Sequence, residues 1–329
     1  MIKLSFEIQI LLTTFALSIV LGIFIIPILK KLKVGQIERN DGPASHLKKQ
    51  GTPTMGGIII ILAMTIGVIG TYIYLQKNGQ TELAQKLIPM LLLTIGFGAI
   101  GFIDDYKKLV LKNTEGLKPS YKMLGLLVIS VAYVLFLTEG LKIGTDTYIP
   151  ILKTYITLPM YAYVPAAILV ILATTNAVNL TDGIDGLSSS VCSIIITSLT
   201  VIGLTRGVME VSIFGSIVTG AVLGFLMFNL HPAKVFMGDT GSLLLGGVIS
   251  GLALYLKMPL LLLIIALIPV VETLSVMIQV VHYKRTGKRV FKMAPLHHHF
   301  ELSGWKENKV VIIFSFITLI LCIIGIMVI

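Results

Sequence analysis

The strongest constraint on this chain is a series of long apolar segments in its sequence. A helix needs roughly 20 predominantly apolar residues to cross the hydrocarbon core of a bilayer. Ten segments reach or approach that length, so the sequence predicts a polytopic all-α membrane protein with about ten transmembrane helices. The predicted spans are 6–29, 55–75, 86–103, 123–137, 160–178, 187–204, 211–228, 240–256, 259–281 and 310–329.

The composition agrees with that architecture. Hydrophobic residues make up 55% of the 329 positions and charged residues only 13%, about half the charged share of a soluble domain. These values argue against a soluble enzyme, a disordered protein and a nucleic-acid-binding domain, although the net charge is +10. Cys192 and Cys322 both lie in apolar segments and indicate neither a disulfide framework nor a zinc site. No cleavage-site pattern follows the first segment, so we expect one integral membrane domain over residues 1–329.

The distribution of basic residues predicts the orientation in the membrane. Ten spans leave both termini on one side, and the loops after odd-numbered spans hold 19 lysines and arginines against 7 on the other side. Basic residues concentrate in cytoplasmic loops, so we predict cytoplasmic odd loops and extracytoplasmic termini. Ten of the 16 acidic residues also fall in the odd loops. The sequence therefore predicts an active site in a cytoplasm-facing cleft, where a charged soluble substrate could meet a lipid substrate.

Two motifs at the ends of predicted spans carry paired carboxylates. GFIDDYKK (101–108) ends the third span with Asp104 and Asp105. Neighbouring helical side chains point about 100° apart, so one carboxylate can face a site while the other orients a lysine or a metal ion. NAVNLTDGIDGL (176–187) places a polar side chain at every third position, followed by glycines that allow a tight turn. We expect these groups near the N-terminus of the sixth span, which favours anions. A solvated helix end and simple capping are the respective alternatives.

Two further motifs carry single functional candidates. FMGDTGSL (236–243) places Asp239 just before the eighth span, where it could serve a site or simply cap the helix. APLHHHFE (294–301) places three consecutive histidines in the most basic loop, where imidazoles could bind a metal ion or phosphate, or be merely solvated. A G-x-G-x-x-G match at 96–101 lies inside a span and predicts no dinucleotide site. Pro269 predicts a kink in the ninth span.

The combined inventory is compatible with phosphoryl transfer. Mg²⁺ is usually held by one or two carboxylates together with substrate phosphates. Transfer of a phosphoryl group depends on positioning and charge neutralisation more than on covalent chemistry by the protein. A lipid phosphate would itself arrive ionised as the nucleophile. These residues alone allow that reaction class without identifying it.

The motifs, taken in order with GTPTMGG (51–57), closely resemble those of the bacterial phospho-N-acetylmuramoyl-pentapeptide-transferases. That family belongs to the polyprenyl-phosphate N-acetylhexosamine-1-phosphate transferases. The aspartate motifs are shared across the superfamily, whereas GTPTMGG and APLHHHFE are more specific to the muramoyl-pentapeptide branch. The resemblance covers nearly the whole chain, and no motif position departs from the pattern.

The resemblance implies an activity, a cofactor and partners. The reaction would move phospho-N-acetylmuramoyl-pentapeptide from UDP-N-acetylmuramoyl-pentapeptide (UDP-MurNAc-pentapeptide) to undecaprenyl phosphate, giving lipid I and UMP. It would require Mg²⁺ and would be the first membrane step of peptidoglycan synthesis. We accordingly expect a multi-pass protein of the bacterial cytoplasmic membrane that forms a homodimer and binds no nucleic acid.

The resemblance also implies roles for individual residues. Asp239 is expected to be the Mg²⁺ ligand, and Asp104 and Asp105 the catalytic pair, with base and ligand roles left open. The expected catalytic set is completed by His297, His298 and His299. Expected contacts to the substrate, its nucleoside or inhibitors are Lys49, Thr54, Lys108, Lys122, Asn176, Asn179, Asp182, Asp185, Phe236, Gly238 and Gln279.

Two other functions remain open on the sequence. A related transferase using UDP-GlcNAc would share the aspartate motifs and differ in substrate. A transporter would carry charged groups near the bilayer midplane. Only Glu272, close to Pro269 in the ninth span, fits that expectation, and a structural hydrogen bond explains it equally well.

Overall fold

The computed structural model describes residues 4–32, 49, 51–111 and 116–329. Lys33, Arg39, Lys48 and Lys112, which contribute to the predicted charge asymmetry, lie outside the described residues. Each predicted span corresponds to a helix or, for the ninth, to a bent pair of helices, so the all-α membrane architecture is confirmed, whereas the exact span count and the orientation stay predictions. The helices are α1 (Phe6–Lys31), α2 (Gly57–Lys77), α3 (Thr81–Lys86), α4 (Ile88–Leu109), α5 (Pro119–Leu135), α6 (Met160–Thr181), α7 (Leu187–Thr205), α8 (Met209–Asn229), α9 (Gly238–Tyr255), α10 (Leu262–Ile265), α11 (Leu267–Thr286), α12 (Leu296–Glu301) and α13 (Glu307–Met327).

Most of these helices are long and apolar enough to cross a bilayer. Among the described residues eight qualify, or nine if the bent pair α10 and α11 counts as one span. Helix α9 fills the eighth predicted span but is rich in glycine and serine, and it is not among those eight. It packs against α2, α4, α6 and α7, so every residue from Thr240 to Tyr255 is buried by protein.

The predicted kink in the ninth span is confirmed as a sharp bend. Helices α10 and α11 meet at an angle of 82° around Ala266. Pro269 follows in the first turn of α11 and has no N–H to donate to the carbonyl of Ile265. That carbonyl instead lies 3.8 Å from the Cys322 thiol on α13.

Glycines allow the helices around the start of α9 to approach one another closely. A Cβ on Gly57 of α2 would lie 2.2 Å from the backbone nitrogen of Gly241, and one on Gly101 of α4 would lie 2.1 Å from the Asp239 carbonyl oxygen. Neither position could carry a larger side chain without moving backbone. The glycines of two motifs therefore bring the carboxyl end of α4 and the amino end of α2 against the amino end of α9.

A small β-hairpin at the opposite end of the bundle was not predicted. Strands β1 (Asp146–Ile149) and β2 (Thr154–Thr157) pair antiparallel, with Asp146 opposite Thr157. The Tyr148 backbone N–H donates to the carbonyl of Lys257, just beyond α9, at 2.8 Å. Lys257 also forms an ion pair of 2.9 Å with Asp146. The hairpin is thus tied to the end of α9 that lies away from the aspartate motifs.

Candidate active site

The amino end of α9 is capped by a carboxylate from another helix. The first N–H groups of a helix have no partner within it. Asp105 on α4 accepts from the backbone N–H of Asp239 at 3.1 Å, and from the backbone N–H and hydroxyl of Thr240 at 2.9 and 2.6 Å. Capping was the alternative role for Asp239. The structure gives that role to Asp105 and leaves the side chain of Asp239 available for other contacts.

Two carboxylates and two lysines form what we call the aspartate–lysine cluster: Asp104, Asp239, Lys108 and Lys122. Lys108 Nζ lies 2.7 Å from Asp104 and 3.3 Å from Asp239. Lys122 Nζ lies 2.8 Å from Asp239 and 3.4 Å from Asp104. Asp104 also accepts from the backbone N–H of Leu117 at 2.7 Å. Four residues from three segments thus meet, and the Lys108 side chain is 39% exposed and open to a ligand.

Helix α6 contributes an amide to the same place. Asn179 Nδ2 donates to Asp239 Oδ1 and to Ser242 Oγ, both at 2.8 Å. Asn176 lies one turn earlier and donates to the Leu172 carbonyl at 2.8 Å. Helix α6 stays helical through Thr181 and carries both amides on its last turns, and Asn179 contacts the amino end of α9. The expected position of both amides beside the start of the sixth span stays a prediction.

Asp182 begins the turn between α6 and α7 and is only half-buried. Its backbone N–H donates to the Asn179 carbonyl at 3.3 Å, but its side chain has no hydrogen-bond partner among the residues that the structure describes. Burial, reinforced by the carboxylates of Asp239, Asp105 and Asp185, raises the pKa of Asp182 to about 8. At neutral pH, Asp182 therefore keeps its proton unless a further cation enters the site.

A second group of charges, the Lys49 cluster, consists of Lys49, Asp185, His231 and Glu307. Lys49 Nζ lies 2.7 Å from Asp185 Oδ1 and 2.5 Å from Glu307 Oε1. His231 Nδ1 lies 2.9 Å from Asp185 Oδ2 and 3.3 Å from Glu307 Oε2. Burial alone would lower the pKa of Lys49 and raise that of Asp185. The hydrogen bonds of Lys49 with Asp185 and Glu307 outweigh burial, so the pKa of Lys49 is raised and that of Asp185 is lowered. Both groups are therefore charged at neutral pH.

The GTPTMGG motif pairs with the segment before α9. The Phe236 backbone N–H donates to the Pro53 carbonyl at 2.8 Å, and Lys49 Nζ lies 6.0 Å from the centroid of the Phe236 ring. Thr54 is buried next to Gly238. This pairing places the Lys49 cluster and the amino end of α9 side by side.

The three histidines have different environments. His297 is fully buried, with its backbone N–H donating to Glu272 at 3.2 Å and its ring against Gly183, next to Asp182. His298 Nδ1 lies 2.9 Å from Glu301. His299 Nδ1 accepts from a backbone N–H in the basic loop after α11. His297 thus contacts the turn that carries Asp182.

Gln279 on α11 serves the loop that follows its helix. Its side-chain oxygen accepts from the backbone N–H groups of Val290 and Phe291 at 2.9 and 3.0 Å, and its amide donates to the Phe291 carbonyl at 3.0 Å. Within the described residues these are its only side-chain hydrogen bonds. The structure therefore engages the Gln279 side chain with its own loop, and its expected contact with the nucleoside stays a prediction.

Three buried or paired side chains were missed as site residues by the sequence. Glu307 was one of ten acids in the odd loops with no motif around it, and Glu272 was explained equally well by a structural hydrogen bond. His231 lies only eight positions before Asp239, and this proximity to FMGDTGSL was the one signal that could have drawn attention to it. Among the described residues, Asp185, His231 and Glu307 also have ligand atoms within 4.8 Å of one another, a spacing that could hold a metal ion.

Comparisons with known proteins agree on one family. The model of glycosyl transferase family 4 matches residues 87–257, and phospho-N-acetylmuramoyl-pentapeptide-transferase signature 1 matches residues 49–61. The phospho-N-acetylmuramoyl-pentapeptide-transferase of Acetivibrio thermocellus is 47% identical over 98% of this chain and 95% of its own length. The protein of that name from Clostridium botulinum is 50% identical over 96% and 94%.

The chain belongs to the phospho-N-acetylmuramoyl-pentapeptide-transferase family. It is therefore a transferase, and with its long apolar helices it is a multi-pass bacterial membrane protein. The signature covers Lys49 and Thr54, while the family model covers both aspartate motifs and Asp239. The two matched regions are the ones that the structure joins at the amino end of α9.

Proposed function

We propose that the protein transfers phospho-N-acetylmuramoyl-pentapeptide from UDP-MurNAc-pentapeptide to undecaprenyl phosphate, releasing UMP and forming lipid I. An oxygen of the lipid phosphate attacks the β-phosphorus of the UDP-sugar, and the bond between that phosphorus and the oxygen bridging to the α-phosphate breaks. The observation that carries the proposal is the aspartate–lysine cluster, where two lysines lie between Asp104 and Asp239 at one end of an apolar bundle.

The charges around this cluster fit a bound divalent cation. The carboxyl groups of Asp104, Asp105, Asp182 and Asp239 outnumber the two lysines. Asp182 has a raised pKa, and its side chain has no hydrogen-bond partner among the described residues. Mg²⁺ prefers such oxygen ligands and keeps substrate phosphates in its shell. We propose that Asp239 holds it, with Asp104 and Asp182 as further candidate ligands. Bound there, Mg²⁺ would neutralise charge on the diphosphate.

Residues of the chain would bind the phosphates and hold the binding groups in place. Lys108 and Lys122 would bind phosphate oxygens while the carboxylates hold their ammonium groups in place. Asp105 would act through α9, since its oxygens are engaged with Asp239 and Thr240. The ionised acceptor phosphate needs no protein base, so Asp104 can serve charge placement alone.

We further propose that Lys49, Asp185 and Phe236 bind the nucleoside part of the substrate. Lys49 and Asp185 are a buried ion pair of 2.7 Å, and the Phe236 ring lies beside the ammonium group. An aromatic face and charged hydrogen-bonding groups suit a nucleobase. The homodimer and the ten-span topology with both termini outside stay predictions.

A reconstitution assay tests this function. Protein in detergent or nanodiscs should release UMP from UDP-MurNAc-pentapeptide only when undecaprenyl phosphate and Mg²⁺ are both present. Substitution of UDP-GlcNAc for the donor distinguishes the related transferase. Transfer from UDP-GlcNAc but not from the peptide-bearing donor would contradict the proposal.

A further inference from the structure

Glu307, the first residue of α13, lies buried at a junction of three distant segments. Its Oε1 accepts from Lys49 Nζ at 2.5 Å and from the backbone N–H of Asp185 at 2.6 Å. Its Oε2 lies 3.3 Å from His231 Nδ1. The carboxylate thus contacts one residue before α2, one in the turn before α7 and one before α9. No motif in the sequence drew attention to it.

The buried ammonium group of Lys49 depends on Glu307 as well as on Asp185. The Lys49 side chain is only 11% exposed, and its two carboxylate partners are 2% and 7% exposed. A buried cation is costly unless it is paired and hydrogen-bonded. If Glu307 lost its charge, Lys49 would keep one counterion and could turn toward solvent, away from Phe236.

The backbone hydrogen bond adds a second constraint. Glu307 holds the N–H of Asp185, whose side chain in turn accepts from Lys49, His231 and the backbone N–H of Ala233. Both oxygens of Asp185 and the Oε1 of Glu307 therefore have hydrogen-bond partners, and the Oε2 of Glu307 lies beside His231. A single side chain fixes both the position of the lysine and the turn that presents the aspartate.

We infer that Glu307 is a positioning residue for the nucleotide moiety of the donor substrate. It acts through Lys49 and Asp185 and does not touch the reacting phosphates. This inference rests on the proposed function, because it assigns Lys49 and Asp185 to the nucleoside. The ammonium of Lys49 already supplies the positive charge between the two carboxylates, which favours this role over a metal site formed with His231.

The test is steady-state kinetics of Glu307→Gln in the full-length protein. Glutamine keeps an oxygen for the Asp185 N–H but cannot balance the charge of Lys49. The KM for UDP-MurNAc-pentapeptide should rise about tenfold, while kcat and the KM for undecaprenyl phosphate stay within about twofold. Restoration of most of the affinity by Glu307→Asp would show that charge is the requirement.

A double-mutant cycle with Lys49→Met separates positioning from general structural support. If Glu307 acts through Lys49, its substitution should have little further effect on KM once the lysine is gone. Glu210→Gln is the matched control, because Glu210 bonds the Tyr255 hydroxyl at the opposite end of the bundle and should leave both KM values unchanged. Thermal unfolding of each variant reports loss of folding directly.

The outcomes are distinguishable. Unchanged donor KM in a folded Glu307→Gln, or additive effects in the cycle, would overturn the inference while wild-type transfer preserved the proposed function. Failure of Glu307→Gln and Glu307→Asp to fold would also overturn it, since Glu307 would then serve the fold alone. Loss of a bound Mn²⁺ in Glu307→Gln would show that Glu307 is a metal ligand and not a positioning residue. Absence of transfer by the wild type would overturn both proposals.

Discussion

The aspartate–lysine cluster and the Lys49 cluster lie at the same end of the bundle, but their charges are balanced differently. In the Lys49 cluster the carboxylate oxygens of Asp185 and Glu307 all have partners, and both side chains are nearly inaccessible. In the aspartate–lysine cluster the lysines are more exposed, and the side chain of the neighbouring Asp182 has no hydrogen-bond partner among the described residues. A buried network whose polar groups are all hydrogen-bonded stabilises one arrangement. Buried polar groups without partners are costly unless a ligand pairs with them. The comparison indicates that the Lys49 cluster is a preformed surface, which suits the proposed nucleoside contact, whereas the aspartate–lysine cluster has room for further partners at the proposed reaction centre.

Substitution of Asp239 should have the largest effect on activity. Asp239→Asn should lower kcat by about 10³-fold, because it removes a charge that organises both lysines and the proposed metal ion. The measurement is UMP release at saturating donor and lipid. Asp146→Asn, at the ion pair with Lys257 at the far end of the bundle, is the matched control and should retain activity. An Asp239→Asn variant with more than a tenth of wild-type activity would rule out the proposed role.

Substitution of Asp105, unlike that of Asp239, should lower thermal stability as well as activity. Asp105→Ala leaves the N–H groups of Asp239 and Thr240 without an acceptor, at a cost of about 1–3 kcal/mol for each buried unsatisfied group. We expect a lower unfolding temperature and about a 100-fold loss of activity. Asp239→Asn, by contrast, should unfold within a few degrees of the wild type. Equal thermal stability of the two variants would contradict the capping role.

The raised pKa of Asp182 predicts a pH dependence of metal binding. Its pKa of about 8 in the folded protein lies above its ordinary value of 3.8, so the metal-free site holds an extra proton between those pH values. A cation must displace that proton, so its affinity should rise with pH by up to about tenfold per unit and level off above pH 8. For the same reason, the contribution of Asp182 to metal-free stability falls as pH rises through 8. If metal affinity rose with pH as steeply in Asp182→Asn as in the wild type, the displaced proton would belong to another group.

The smallest expected effect is on His231. His231→Asn removes the imidazole beside Asp185 Oδ2 and Glu307 Oε2. Lys49 still donates to Asp185 Oδ1 and Glu307 Oε1. The donor KM should change by less than about threefold. A tenfold change would mean that the imidazole, and not the lysine, holds the Lys49 cluster together.

Local sequence patterns predicted much of the fold. Apolar length located the helices, and the proline rule located the bend before Pro269. The hairpin was missed because β1 and β2 are only four residues each, and Tyr148 and Tyr155 resemble ordinary loop aromatics.

The composition of the site was partly predictable, but its internal contacts were not. Asp104 and Asp239 were predicted as site residues from their motifs, since both lie at the ends of apolar segments, and the structure brings them together. The pairing of Lys49 with Glu307 joins residues 258 positions apart and leaves no local pattern. The division between Asp104 and Asp105 also depends on tertiary packing, because only the approach of α9 determines which of the two adjacent carboxylates caps it.

The most direct test of this account is a titration with Mn²⁺, followed by electron paramagnetic resonance, on the wild type and two variants. The account predicts one bound Mn²⁺ per chain that competes with Mg²⁺, is lost in Asp239→Asn and persists in Glu307→Gln. Persistence in Asp239→Asn together with loss in Glu307→Gln would place the metal ion in the Lys49 cluster and contradict the assignment of the two sites.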